Sequence, residues 1–227
     1  IKNYFDPLPE NQKTVGFEAN VYIKFLRFLS KFIIRILFLN GNNRFSNEFI
    51  QSLNPYASIK YKNKKFIFRT GHGRLFWRVK TFFSEEVLMI KFLNNLKSDD
   101  IFCDIGANIG IYSIPASYFV KKTYSFEIDI QNVQLLSENI YLNNLDKKIY
   151  IFPFGVAEKN ELLDVYFRSF SKGEALNNIR EPSPELNNEF KGYIRKQLVL
   201  NLDEFIEKNN LEYSKKIKID VDGSEYL

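Results

Sequence analysis

Short apolar runs and amphipathic stretches alternate through the second half of the chain. Ile101-Phe102-Cys103-Asp104-Ile105 is an apolar run closed by Gly106, the pattern of a strand buried on both faces. Residues Ile109 to Val120 read as a helix, with Pro115 tolerable only near its first turns. Thr123 to Phe126 reads as a second strand. Asn132 to Asn143 is a helix with Val133, Leu135, Leu136, Ile140 and Leu142 as its apolar positions. Ile149 to Phe152 and Ile217 to Val221 complete the strands. Strands alternating with helices call for a parallel sheet with right-handed crossovers. Between the last two strands, Leu162 to Phe167 and Lys196 to Leu200 look extended and Leu202 to Lys208 helical. Ser169 to Gly192 is polar, and a stretch that long is either functional or disordered.

The first half is patterned differently. Val21 to Asn40 is hydrophobic but carries Lys24, Arg27, Lys31 and Arg35, spaced 3, 4 and 4, which puts the cations on one stripe of a helix. Such a helix over 21–39 either lies in an anionic membrane interface or packs its apolar face on the protein. Residues 40–65 read as loop and linker. Tyr61 to Trp77 reads as a hairpin or turn about Gly71-His72-Gly73, and Glu85 to Leu96 as a helix. The expected division is a basic, partly helical extension over 1–97 and an α/β domain over 98–227.

Charge sharpens that division. Residues 1–97 hold 17 Lys and Arg against 6 Asp and Glu, and residues 98–227 hold 15 against 21. A basic leader suits an anionic partner, membrane or nucleic acid, or is simply a solvated face. Cys103 is the sole cysteine and His72 the sole histidine, which excludes an internal disulfide and a Cys/His metal cluster. A single cysteine fits a cytoplasmic setting. No apolar stretch reaches the ~18 charge-free residues of a membrane span.

The chemistry sits in Asp104-Ile105-Gly106-Ala107-Asn108-Ile109-Gly110, between a strand and a helix. Glycines there allow a sharp turn and close approach of a ligand to the main chain. Asn108 takes the middle position, and Asn is one of the few residues besides glycine that tolerate a left-handed backbone. The dinucleotide spacing is absent. Asp104 would repel a pyrophosphate and favours a cationic ligand. Glu127, 21 residues past Gly106 at the tip of the second strand, suits two ribose hydroxyls. Together these point to S-adenosylmethionine (SAM).

Phe102 to Ser113, then Ser125-Phe126-Glu127, Asn132, Leu136, Asn139 and Leu142-Asn143, and finally Ile217-Lys218-Ile219-Asp220-Val221-Asp222-Gly223-Ser224-Glu225 resemble the FkbM family of SAM-dependent O-methyltransferases. The resemblance covers about Phe82 to Leu227. It departs at Ile128, where the family usually has proline, and at Asp222, which replaces a common glutamate. It implies a Rossmann-like class I methyltransferase fold, α/β with a doubly wound, mainly parallel sheet, here expected to be C-terminally truncated. It implies that Asp104, Gly106, Ala107, Asn108, Gly110, Ser113, Glu127 and Ile128 contact SAM. Asp220, Asp222 and Glu225 are the acceptor-side candidates for a proton-accepting base.

The expected activity is methyl transfer to a hydroxyl, most naturally of a sugar in a polysaccharide, glycolipid or secondary metabolite, without a metal. The expected partner is a small-molecule or glycan acceptor, with peripheral membrane contact through 21–39 as an option. Nucleic acid is expected not to be a partner, because the Asn/Asp-Pro-Pro-aromatic turn of enzymes that methylate base amino groups is missing. The alternatives are an RNA methyltransferase, favoured by the basic leader, and a SAM-binding module without activity.

Overall fold

The computed structural model describes residues 55–71, 73–84, 87–173, 175, 177–179 and 190–221, together with 25, 28–33 and 35–36. It divides into two compact units, Ile1–Asn54 and Pro55–Leu227. In the first, residues 28–33 and 35–36 are helical, as the cation stripe predicts. Among the described residues no helix is long and apolar enough to cross a membrane.

The second unit opens with a hairpin of β1 (Tyr56–Tyr61) and β2 (Lys64–Arg69), followed by α1 (Gly73–Lys80) and α2 (Val87–Asn94). Alternating with them in the usual α/β manner come β3 (Ile101–Ile105), α3 (Ser113–Ser117), β4 (Lys122–Phe126), α4 (Ile130–Leu142) and β5 (Ile149–Phe152). β6 (Gly155–Val156), β7 (Glu161–Phe167), β8 (Asn178–Ile179) and β9 (Tyr193–Leu200) form a second sheet, and α5 (Leu202–Lys208) leads into β10 (Lys216–Ile219). The main sheet is parallel, in the order β10-β3-β4-β5. The chain therefore runs outward from β3 through β4 to β5, then crosses back to place β10 on the other side of β3. The expected mixed α/β fold with a doubly wound parallel sheet is the fold observed.

Both faces of β3 are covered, which explains why it reads as a continuous apolar run. Alternate residues of β3 point to opposite sides. Phe102 joins a core with Phe66, Phe68, Leu75, Leu93, Ile114, Leu135 and Leu136, so the hairpin and α1–α4 share one layer. Ile101, Cys103 and Ile105 face the other layer with Tyr124, Phe126, Phe154 and Phe205. Because the hairpin and α1 are built into this core, the compact unit begins at Pro55 rather than at Ser98. Asn139 and Asn143 of α4 fasten the hairpin: the side-chain carbonyls accept the N–H groups of Arg69 and Ile67 at 2.8 and 2.9 Å.

Three local expectations are corrected. The hairpin turns at Lys62-Asn63, both with positive φ, instead of at residues 71–73, and its strands occupy part of the expected linker. Asn supplies the left-handed backbone that such a two-residue turn demands. The helix expected from Ile109 is helical only over Ser113–Ser117, because Gly110 takes φ 82° and delays its start. α4 begins at Ile130, where the Asp129 carboxylate caps it by accepting the Gln131 N–H at 3.0 Å.

Candidate functional site

The site lies at the carboxyl ends of β3, β4 and β10, where the strand order reverses and ligands of open α/β sheets bind. The loop after β3 takes left-handed conformations at Gly106, Asn108 and Gly110, with φ of 77°, 50° and 82°. Two of these positions are also sterically closed to a side chain. A Cβ on Gly106 would lie 1.9 Å from the Asp220 carbonyl oxygen, and one on Gly110 would lie 2.5 Å from Leu136 Cδ1. The Gly106 and Ala107 N–H groups both donate to the Phe126 carbonyl at 2.9 Å, which stitches the loop to the end of β4.

Glu127 stands at that end. Its Oε2 accepts the Asn108 N–H at 2.7 Å and its Oε1 accepts the Asp129 N–H at 2.8 Å. Burial dominates over these two donors and pushes its carboxyl up to about 7. Asp104 is buried in a different way. Its Oδ2 accepts the Ser113 hydroxyl, which in turn accepts that of Ser125 at 2.9 Å. Its Oδ1 lies 3.1 Å from Lys218 Nζ, an ion pair rather than an aligned hydrogen bond. Lys218 also donates to the Gly106 carbonyl at 3.0 Å and sits 3.4 Å from Asp220 Oδ2. The flanking Asp104 and Asp220 charges raise the Lys218 ammonium above its ordinary value against the opposing effect of burial, the largest single influence on it.

Two cavities meet at this loop. The larger, about 270 Å³, runs between Glu127, Ile128 and Asn132 on one side and Phe154, Gly155 and Val156 on the other. Val165 and Ile179 of the second sheet form part of its wall. The smaller, about 160 Å³, is lined by Trp77, Thr81, Phe82, Ala107, Tyr112 and Lys218. Arg78, Gly106, Asn108 and Asp220 line both.

Of the residues expected to touch the cofactor, Gly106, Ala107, Asn108, Glu127 and Ile128 line a cavity. Asp104, Ser113 and Gly110 line neither and act from behind the loop. Asp220 is at the junction of the cavities, while Asp222 and Glu225 fall outside the described residues. Arg78, Lys218 and the wall from Phe154 to Val156 were not singled out from sequence. Lys218 stood within the late string, and Arg78 lay just past the stretch Tyr61–Trp77 read as a hairpin or turn.

These residues fit a nucleoside joined to a charged amino acid. A buried carboxylate lines the larger cavity, Gly106 lets the end of β10 pack directly on the loop, and Arg78, whose buried Nε has no hydrogen-bond partner, lines both cavities.

No family model matches the chain. It is similar to the tRNA (guanine(37)-N(1))-methyltransferase of Dictyostelium discoideum, 28% identical over 98 residues, which is 43% of this chain and 20% of that protein. It is likewise similar to tRNA (guanine(37)-N(1))-methyltransferase 2 of Arabidopsis thaliana, 28% identical over 85 residues, covering 37% and 13%. The chain thus spans a fifth or less of the length of these curated relatives. Among solved structures it resembles the Methanocaldococcus jannaschii tRNA m1G37 methyltransferase with a TM-score of 0.31 and 20% identity, covering 45% of this chain and 30% of that one. M. jannaschii TYW2 in complex with AdoMet gives a TM-score of 0.33 and 18% identity, covering 44% and 43%.

The FkbM resemblance is therefore corrected, together with the sugar hydroxyl acceptor and the exclusion of nucleic acid that went with it. The curated relatives are tRNA methyltransferases. The physical reason is that the loop and the acid after β4 were read for a cofactor, and a cofactor is shared by enzymes with unrelated acceptors. The missing Asn/Asp-Pro-Pro turn carried too much weight as well. That turn serves exocyclic amino groups, whereas guanine N1 is a ring nitrogen whose proton must be removed.

Proposed function

We propose that this chain carries the SAM-binding part of an RNA methyltransferase whose acceptor is a guanine ring nitrogen of tRNA. The observation that carries the cofactor reading is the pair of joined cavities at the strand-reversal point, one faced by the buried Glu127 carboxylate. The acceptor reading is supported by the curated relatives.

SAM, when bound, supplies an activated methyl group. What the chain supplies is alignment and exclusion of water. Glu127 accepts the ribose hydroxyls, Ile128, Phe154 and Val156 enclose the base, and the Gly106–Asn108 loop lets the main chain approach closely. A pyrophosphate at the junction would meet the Asp220 carboxylate, which disfavours a dinucleotide. On this reading the chain would hold the acceptor nitrogen against the methyl group of SAM, and a carboxylate of the chain would take the proton that the nitrogen loses. Asp222 and Glu225 are the proposed acceptors of that proton.

The test pairs calorimetry with S-adenosylhomocysteine, the demethylated product, and transfer from methyl-labelled SAM to a tRNA transcript. Binding together with label that disappears when the guanine is replaced supports the proposal. Binding without transfer to any RNA would overturn the acceptor assignment, and absence of binding would overturn the cofactor assignment.

A further inference from the structure

We infer that the smaller cavity is an amino-acid subsite, in which Arg78 takes the α-carboxylate and Asp220 the α-ammonium of the cofactor's methionine end. This rests on the SAM reading and adds residues that the sequence did not assign to it. The starting point is that Asp104 is unavailable. Both of its oxygens are engaged inside the protein, by Ser113 and Lys218, and it lines neither cavity. Lys218 is thus a built-in counter-cation for Asp104, placed by the parallel register that sets Lys218 opposite Asp104 in adjacent strands.

What faces the smaller cavity instead is a complement to a zwitterion. Asp220 is more than half exposed and lines both cavities, so one carboxylate stands at the junction. Across it, α1 presents Arg78, anchored by the buried Leu75 and Val79 of the same short helix. Arg78 Nε is a buried donor with no hydrogen-bond partner, a costly arrangement unless a ligand supplies the acceptor. A guanidinium is matched to a carboxylate by its planar fork of donors. Trp77 and Phe82 supply the remaining wall. The hairpin-and-helix segment ahead of β3 therefore contributes to binding as well as to the core.

The test separates the two ends of the ligand. S-adenosylhomocysteine carries both; 5′-methylthioadenosine keeps the nucleoside and thioether and lacks the amino acid. Calorimetry on the whole chain should find wild-type protein binding S-adenosylhomocysteine the more tightly. In Arg78→Met its affinity should fall about tenfold or more, while 5′-methylthioadenosine changes by less than about twofold. Asp220→Asn should show the same selectivity with a smaller loss, and Arg78→Lys should recover part of the affinity. Retained binding of 5′-methylthioadenosine doubles as the check that each variant is folded. Equal losses for both ligands in Arg78→Met, or none for S-adenosylhomocysteine, would overturn the inference. If the wild type binds neither ligand, the cofactor reading fails and the subsite falls with it. If it binds both equally, the cofactor reading stands and the subsite is wrong.

Discussion

Asp104 and Glu127 end adjacent strands of one sheet, both buried, yet their surroundings assign them opposite work. Asp104 is closed in by a hydroxyl and an ammonium, and nothing of it reaches a cavity. Glu127 is held by two main-chain N–H groups only, and it faces the larger cavity. The charge of Asp104 is answered from inside the fold, whereas in the proposed SAM site Glu127 is the carboxylate left to accept from a ligand. Position at a strand tip does not distinguish them; the company each keeps does.

The largest expected effect follows from the closed pair. Asp104→Asn removes the buried partner of the Lys218 ammonium and leaves it the exposed Asp220 carboxylate and the Gly106 carbonyl, so the loss should approach, without exceeding, the roughly 3–5 kcal/mol of a broken buried pair. Thermal denaturation should show a large drop in the midpoint for Asp104→Asn. Adding Lys218→Met in the same chain should recover much of the loss, since a buried pair can be replaced by apolar groups of similar volume. Additive losses in the double variant would mean that the two residues do not act as a pair.

Gly106→Ala strikes the loop between them. The new methyl meets the Asp220 carbonyl on a left-handed backbone, so either the loop or the end of β10 must move. Overpacking of that kind costs about 1–3 kcal/mol, and S-adenosylhomocysteine binding should fall below detection by calorimetry. Unchanged affinity would show that the close approach is irrelevant to the ligand. A smaller effect is expected from Glu127→Gln: affinity lower by about tenfold, with thermal stability at pH 8 close to wild type, because a buried charge is removed while one of the two main-chain N–H groups loses its acceptor. The sign follows from burial. A carboxyl raised from 4.5 to about 7 favours the folded state at low pH, and that contribution is lost as pH rises through about 7. Glutamine avoids burying the charge above that range.

The sequence disclosed the loop well and its neighbours poorly. Gly106, Asn108 and Gly110 could be read as left-handed because those residue types at a strand-helix junction have few other uses. Glu127 followed from its distance past the loop. Lys218 could not be read, because its partnership with Asp104 depends on the register between β10 and β3, strands separated by more than a hundred residues. Arg78 was missed because the glycines at 71 and 73 made the start of helix α1 read as a turn, which left the rest of the helix unassigned. The acceptor was misread for a related reason: the legible residues are those proposed to hold the cofactor, and they say nothing of what receives the methyl group.

The most direct test of the account is the affinity for S-adenosylhomocysteine as a function of pH, measured by calorimetry from pH 6 to pH 8 on the wild type and Glu127→Gln. Ribose hydroxyls donate to the ionised carboxylate, so binding should tighten in the wild type as pH rises through about 7, and the glutamine variant should lack that dependence. One ligand per chain with that pH profile is the predicted result. No saturable binding, or a wild-type affinity as insensitive to pH as the variant's, would contradict the assignment of Glu127 and of the cavity it faces.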